Sequence, residues 1–464
     1  MNKVGRVVML SLIRYAQFAS LILAAVLCSA CSRGGKERSI LELADVHYVS
    51  GDQWYENKVQ GKPEGIGWVQ LPIPVQHSRY VSGTDPFVKG FVRPEVCAEC
   101  HAGIHKSFLQ TAHNRTAEEA TEDVVLGSFS EGQNELQTRD PNLRFKMIAD
   151  EQGLRQRVTT RRDGQLYSLE VPMDLSTGSG NHGQSYLYWH KDELYQLPVS
   201  YFTELDRWVN SPGIYADGTA DFARGIGDRC LDCHATYFAM APNSFNRYDR
   251  TNYILGVTCV RCHGAGWAHV QYHRHQEQEV EARYIVNPAK LSVARANEVC
   301  AQCHSGAGQL LQPAFTYQPG EPLEEYITLD FGRENPDNDD PHAANQLARL
   351  MRSRCFTESG NLTCFKCHDP HHHERGDMAL YATRCAQCHE PADCGLSDEL
   401  GSELETRCVP CHMPSRRDAQ GVMETTEGDV LPLLRDHFIQ ARPAGTVQSV
   451  EELKAELLRL KNEP

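Results

Sequence analysis

Cys259-Val260-Arg261-Cys262-His263 decides how this chain is read. Two cysteines three positions apart, with histidine directly after the second, recur at six further places. These are Cys97/Cys100/His101, Cys230/Cys233/His234, Cys300/Cys303/His304, Cys364/Cys367/His368, Cys385/Cys388/His389 and Cys408/Cys411/His412. With 18 Cys and 21 His in 464 residues, chance supplies roughly 0.03 such pentapeptides. The spacing has a physical reason. Thiols so separated reach the two vinyl groups of one porphyrin, and the histidine then lies beneath the iron as proximal ligand. Zinc ribbons and dithiol redox motifs use C-x-x-C pairs but do not need histidine after each one. The sequence therefore predicts seven covalently bound c-type haems, held by these fourteen cysteines and seven histidines.

Working outward, the composition excludes several classes. The apolar fraction of 41% is that of a folded chain, and the net charge of -15 argues against a nucleic-acid partner. No apolar run reaches the length of about 18 residues that a spanning helix needs. The cysteines are too sparse for a disulfide scaffold, which usually exceeds about 8% Cys. At about 150 residues per domain, the length suggests two or three domains.

At the N-terminus, Lys3, Arg6 and Arg14 precede the apolar run Phe18–Leu27, followed by Leu27-Cys28-Ser29-Ala30-Cys31. Residues 1–30 read as an export signal. The end of the signal has three readings: lipidation of Cys31, plain cleavage after Ala30, or retention as an uncleaved anchor. Export places the mature chain outside the cytoplasm, in the periplasm or anchored to a membrane through Cys31. Of the remaining cysteines, Cys355 and Cys394 are left as a disulfide or as two buried thiols.

Residues 32–93 read as an irregular leader, and 94–445 as the heptahaem domain. Residues 97–120 carry the first motif and then a helical pattern (Ile104, Phe108, Thr111, Ala112). Runs starting at Arg144, Leu154, Leu166 and Gln184, punctuated by Asp163-Gly164 and Gly178–Gly183, predict a small antiparallel β insert at about 140–205. The acidic stretch 318–340 reads as loop. The tail 446–464 reads as a helix capped by Ser449. Porphyrin should replace much of the apolar core, so the expected fold class is mainly α with long loops and sparse secondary structure.

Fourteen histidines are not proximal. His47, His77 and His105 are expected to bind nothing. Arg261, Arg274 and His273, near the third motif, read as solvated charges.

The segment from Cys97 to Gly445 resembles the exported multihaem c-type cytochromes of bacteria, often fused to tetratricopeptide repeats. It is more distantly similar to the tetrahaem cytochromes of ammonia oxidisers, hydroxylamine oxidoreductase and pentahaem nitrite reductase. The runs carrying the resemblance include Gly178-Ser-Gly-Asn-His182, Gly256-Val-Thr-Cys-Val-Arg-Cys-His-Gly264, Ile285-Val-Asn-Pro288, Leu362-Thr-Cys-Phe-Lys-Cys-His-Asp-Pro-His371, and Cys408-Val-Pro-Cys-His-Met-Pro414 with Asp436-His-Phe-Ile. The resemblance implies distal iron ligands at His113, His182, His269, His342, His371 and His437. The seventh is left among His190, His273, His275, His372 and His373, or absent. No tetratricopeptide array follows Gly445.

A second histidine on each iron gives low-spin, electron-transferring haem. The expected function is electron transfer outside the cytoplasm, with redox proteins or membrane quinol-oxidising complexes as partners. The alternative is an oxidoreductase acting on a small nitrogen or sulfur species at one open iron.

Overall fold

The computed structural model describes residues 37–60, 69–74, 90–276, 278–306, 308–329, 341–418 and 421–441. The signal, Cys31, His77 and the C-terminal tail lie outside the described residues. The fold is not mainly α. It is 30% helical and 27% strand, with several sheets, so the expected class is corrected to mixed α and β.

The difference arises mostly in the first half of the chain. Leu143–Asp150 alternates, with Leu143, Phe145 and Met147 buried and Arg144 exposed between them. It pairs antiparallel with Gly153–Arg162, which pairs antiparallel with Gln165–Pro172. Asp163 and Gly164 connect the latter two strands, and both have positive φ, as a two-residue hairpin turn of this kind requires. Glu135–Gln137 and Arg38–Ser39 extend the sheet to five strands. A second sheet runs Arg207–Asn210, Val199–Phe202, Gly183–His190, Leu175–Thr177 and Ala117–Glu119, with Glu193–Gln196 also on Gly183–His190.

Phe145, Val158, Tyr186, Trp208 and Phe222 share one core with Ile40, Val69 and Leu71. The 32–93 segment thus contributes strands, Val46–Val49 and Val69–Pro72, in a parallel sheet with Ala220–Asp221. Gln156, fully buried, ties the two larger sheets together. Its amide donates to the Val199 carbonyl at 2.7 Å and accepts from the Val199 N–H at 3.1 Å.

The attachment motifs lie on short helices. Pro94 opens Pro94–Phe108, where a missing N–H costs nothing. Ser292 caps Val293–His304 by accepting from the Arg295 N–H. Asp228–His234, Val260–His263 and Leu404–His412 each end on their proximal histidine. The sixth motif begins where Met378–Cys385 ends, and the fifth lies on the 3₁₀ turn Cys364–Lys366.

The β region positions this helical half through residues 113–119. The Gly178 N–H donates to the Thr116 carbonyl at 2.8 Å, and the Val257 N–H donates to the His113 carbonyl at 2.9 Å. Gly256, at φ +66°, lies where an added Cβ would stand 2.1 Å from the Asn114 carbonyl oxygen, so only glycine permits this approach. Among the described residues, no helix is long and apolar enough to cross a membrane.

Candidate haem-binding sites

Four proximal histidines face a second imidazole from a distant part of the chain. His101 and His269 have ring centroids 6.4 Å apart and planes 14° apart. His263 and His371 stand at 5.9 Å and 14°, and His368 and His437 at 6.0 Å and 29°. His113 and His304 stand at 6.3 Å but are crossed at 74°. Two imidazoles trans on one metal have centroids about 6.4 Å apart, given a metal–nitrogen bond of about 2 Å and a nitrogen-to-centroid distance of about 1.2 Å. Rings in van der Waals stacking would sit closer. The observed spacings are those of two imidazoles with room for one metal ion between them.

The other ring nitrogen of most of these histidines is occupied. His263 Nδ1 lies 2.8 Å from the Val286 carbonyl and His269 Nδ1 2.8 Å from that of Arg283. His304 Nδ1 is 3.3 Å from the Ala343 carbonyl and His437 Nδ1 3.2 Å from that of Arg435. His368 Nδ1 is 3.3 Å from the Tyr381 hydroxyl. A carbonyl can only accept, so Nδ1 carries the proton and Nε2 keeps its lone pair for a metal. Burial holds the half-buried His437 down to about pKa 4, which keeps its ring in the neutral, ligating form at pH 7. With a C-x-x-C thiol pair before each proximal ring, this donor set fits c-type haem.

His371, and not His372 or His373, faces a proximal ring. His372 instead bonds Asp369 at 2.8 Å, and His373 is exposed. Among the described residues no imidazole stands at this spacing from His234, His389 or His412. His234 and His412 nonetheless have a ligand's orientation. His234 Nδ1 is 3.0 Å from Thr116 Oγ1, and His412 Nδ1 is 2.8 Å from the Gln440 carbonyl.

Two expected distal ligands are not brought opposite a proximal ring. His182 is largely buried and held at about pKa 4 by that burial. His342 accepts the Ala344 N–H on Nδ1 at 3.0 Å and turns Nε2 toward Asp418 at 3.9 Å, the reverse of the orientation above. The candidates for the seventh ligand also point elsewhere. His273 packs on His269 at 4.6 Å, His275 bonds the Gln271 carbonyl, and His190 packs edge-on to Tyr195. Cys355 and Cys394 are both free thiols.

The thiols show which motifs are neighbours. Cys97 and Cys259 are side-chain neighbours, as are Cys233 and Cys303, and Cys300 and Cys364. Cys262 and Cys300, Cys367 and Cys388, and Cys385 and Cys408 are close enough to affect each other's ionisation. The motifs therefore run 1–3–4–5–6–7 in space, with motif 2 branching from motif 4.

Cys100 and Cys411 differ in their surroundings. They are the second cysteines of the first and last motifs. Cys100 is exposed on Pro94–Phe108, one position after the exposed Glu99. Cys411 is half-buried and packs, with Cys394 and Leu396, against Leu400 and Leu404. Cys100 opens to water and Cys411 lies on an apolar wall.

The sequence reading missed the accepting carbonyls, because a backbone carbonyl has no residue signature. It also missed the burial of Arg261. That side chain is not solvated but pairs with Asp232 at 3.0 Å, both nearly inaccessible.

Residues 215–264, which hold the second and third motifs, match the family described as cytochrome c554 and c-prime. No curated protein matches the chain. The crystal structure of the outer cell wall cytochrome OcwA is similar at a TM-score of 0.47 and 15% identity, over 79% of this chain and 82% of that one. The family match, on a segment carrying two attachment motifs, supports covalently bound c-type haem and a multihaem electron-transfer cytochrome.

Proposed function

We propose that this chain is a heptahaem c-type cytochrome that carries electrons outside the cytoplasm between redox proteins, or from a membrane quinol-oxidising complex. The observation that carries the proposal is the set of four facing imidazole pairs, each fed by one C-x-x-C-H motif. Haem held by the thiol pairs and these imidazoles would supply one-electron chemistry, and a second imidazole would keep its iron low-spin. The chain's residues fix ring orientation through Nδ1 and hold neighbouring motifs together. The export signal supports a periplasmic location, with Cys31 as a lipid anchor or Ala30 as a plain cleavage point.

A second reading keeps one specific observation. His234, His389 and His412 lack a facing imidazole among the described residues. An open iron at one of them would suit an oxidoreductase acting on a small nitrogen or sulfur species. Carbon monoxide titration of the reduced holoprotein separates the two readings. No uptake supports a pure carrier, and one to three CO per chain supports an open site. Uptake of more than three would overturn the four pairs themselves.

A further inference from the structure

The residues between the cysteines of three different motifs meet in one buried cluster. Asp232 precedes Cys233, Arg261 precedes Cys262 and Gln302 precedes Cys303. Their exposures are 5%, 4% and 5%. The corresponding Glu99, Lys366 and Gln387 of motifs one, five and six are exposed. Arg261 donates through Nη2 to Asp232 Oδ1 at 3.0 Å and to the Asp232 carbonyl at 2.8 Å. Gln302 Nε2 donates to the Arg261 carbonyl at 3.2 Å. Arg229 donates to Asp232 Oδ2 at 3.1 Å and to the Gln302 carbonyl at 3.1 Å. The Phe315 N–H donates to Asp232 Oδ1 at 2.8 Å, and the Phe315 ring lies 5.8 Å from the Arg261 guanidinium. Asp228 stands nearby, accepting the Arg229 N–H at 2.8 Å.

The C-x-x-C-H signature requires none of these residues. Arg261 Nε has no hydrogen-bond partner among the described residues, so the guanidinium is desolvated and incompletely compensated. Burial disfavours its charge, the paired Asp232 carboxylate offsets that, and the thiol positions of Cys303, Cys233 and Cys262 lie near it. Those three thiols are the second attachment points of motifs four, two and three. A fixed positive charge in a low dielectric favours the electron-richer state of a redox centre beside it, and nearby charge is one of the terms that sets a haem's potential.

We propose that Arg261 is a positioning and tuning residue that raises the reduction potentials of the haems on motifs two, three and four. Asp232 opposes it while fixing its place. The inference rests on the reading of these motifs as haem sites. It makes the 2–3–4 junction an electron-accepting point within the chain of motifs.

The test is spectroelectrochemical titration of the full holoprotein carrying Arg261→Gln, Asp232→Asn or Arg261→Lys, with haem counted by intact mass. Arg261→Gln should move part of the titration to lower potential, Asp232→Asn should move it to higher potential, and Arg261→Lys should stay near the parent. The opposite signs are what a packing role cannot produce. Shifts of one sign in both charge-removing variants, or none, would overturn the proposal. If Arg261→Gln yields no holoprotein, Asp232→Asn alone decides by the sign of its shift. A parent count below seven would instead count against the proposed function, since the charge effect needs haem only at motifs two, three and four.

Discussion

Replacing Arg349 with methionine should destabilise the protein and loosen the ligand opposite His368. Arg349 and Asp436 are 2% and 1% exposed. The guanidinium grips the carboxylate at two points, Nε to Oδ1 at 2.9 Å and Nη2 to Oδ2 at 2.6 Å. Asp436 Oδ1 also accepts the Phe438 N–H at 2.9 Å, and Ser353 Oγ accepts the Ile439 N–H at 2.8 Å. His437 is thus held from both sides. Truncating one partner of a buried pair costs about 3–5 kcal/mol, because the other charge is left unpaired. Arg416, at 3.4 Å and one-third exposed, still reaches Asp436 and places the expected loss near the lower figure. Adding Asp436→Asn removes the stranded charge yet keeps the acceptor for Phe438, so the double variant should recover about 1–2 kcal/mol. Burial pushes Asp436 up, but Arg349 and its other partners bring it below the usual carboxylate range. Parent stability from this group is therefore full above the unfolded carboxylate pKa and lost as pH falls through the lower folded value. Without Arg349 the folded pKa rises, protonation relieves the burial, and the gap to the parent should narrow on acidification. Urea unfolding at pH 7 and near pH 4 measures this, with EPR reporting a low-spin to high-spin change at one haem. A loss under about 1 kcal/mol at pH 7, or a double variant no better than the single, would refute the reasoning.

Intact-mass measurement of the mature holoprotein should show seven covalent haems, and a lower count would contradict the reading of the motifs. His269→Ala and His371→Ala should each convert one haem to high spin. Unchanged low-spin EPR intensity in both variants would reject their pairing with His101 and His263. The crossed His113 and His304 rings should give a strongly axial low-spin EPR signal with a large g maximum, distinct from the rhombic signals of the near-parallel pairs. His113→Ala should abolish that signal alone, and its persistence would exclude the crossed pair as its source. Gly164→Ala should cost about 1 kcal/mol in chemical denaturation, since position 164 needs positive φ. An unchanged midpoint would show that the hairpin turn relaxes.

The attachment motifs were legible because their chemistry is local. Two thiols and an imidazole must lie within five residues, whatever the rest of the fold does. Cys100 and Cys411 show the point, since their surroundings have nothing in common but the motif. The long hairpin was legible for a similar reason, since alternation in Leu143–Asp150 and the Asp163-Gly164 turn are short-range signals. The second sheet was only partly read. Ala117–Glu119 is three residues long, and it is a strand because Leu175–Thr177 lies beside it. Arg38–Ser39 owes its state to Gln165–Pro172 in the same way. Such segments carry too few residues for a period to show. The mainly α expectation failed because it treated porphyrin as the core of the whole chain. The β half has its own core, from Ile40 to Phe222. Arg261 was misread because a charge between two cysteines looks solvated until Asp232, 29 residues earlier, is seen beside it.

Ligand pairing was illegible for a deeper reason, and the observed pattern has a consequence for how the motifs divide their work. Each pair joins segments that sequence separation alone would not associate: His113 with His304, His101 with His269, His263 with His371, His368 with His437. The four paired proximal rings belong to motifs 1, 3, 4 and 5, which are consecutive in the spatial order of the thiols. Among the described residues, the proximal rings without a facing imidazole belong to motif 2, on the branch, and to motifs 6 and 7, at the far end. A relay gains from saturated, geometrically fixed ligation along its run, because an iron that changes ligands must reorganise at each transfer. On a branch, or on one end stretch such as motifs 6 and 7, that constraint is weaker, since transfer among the other motifs does not cross them. A variable sixth position there would leave the 1–3–4–5 run intact. The carrier and open-iron readings therefore occupy different parts of one molecule, and Arg261 sits where the branch meets the run.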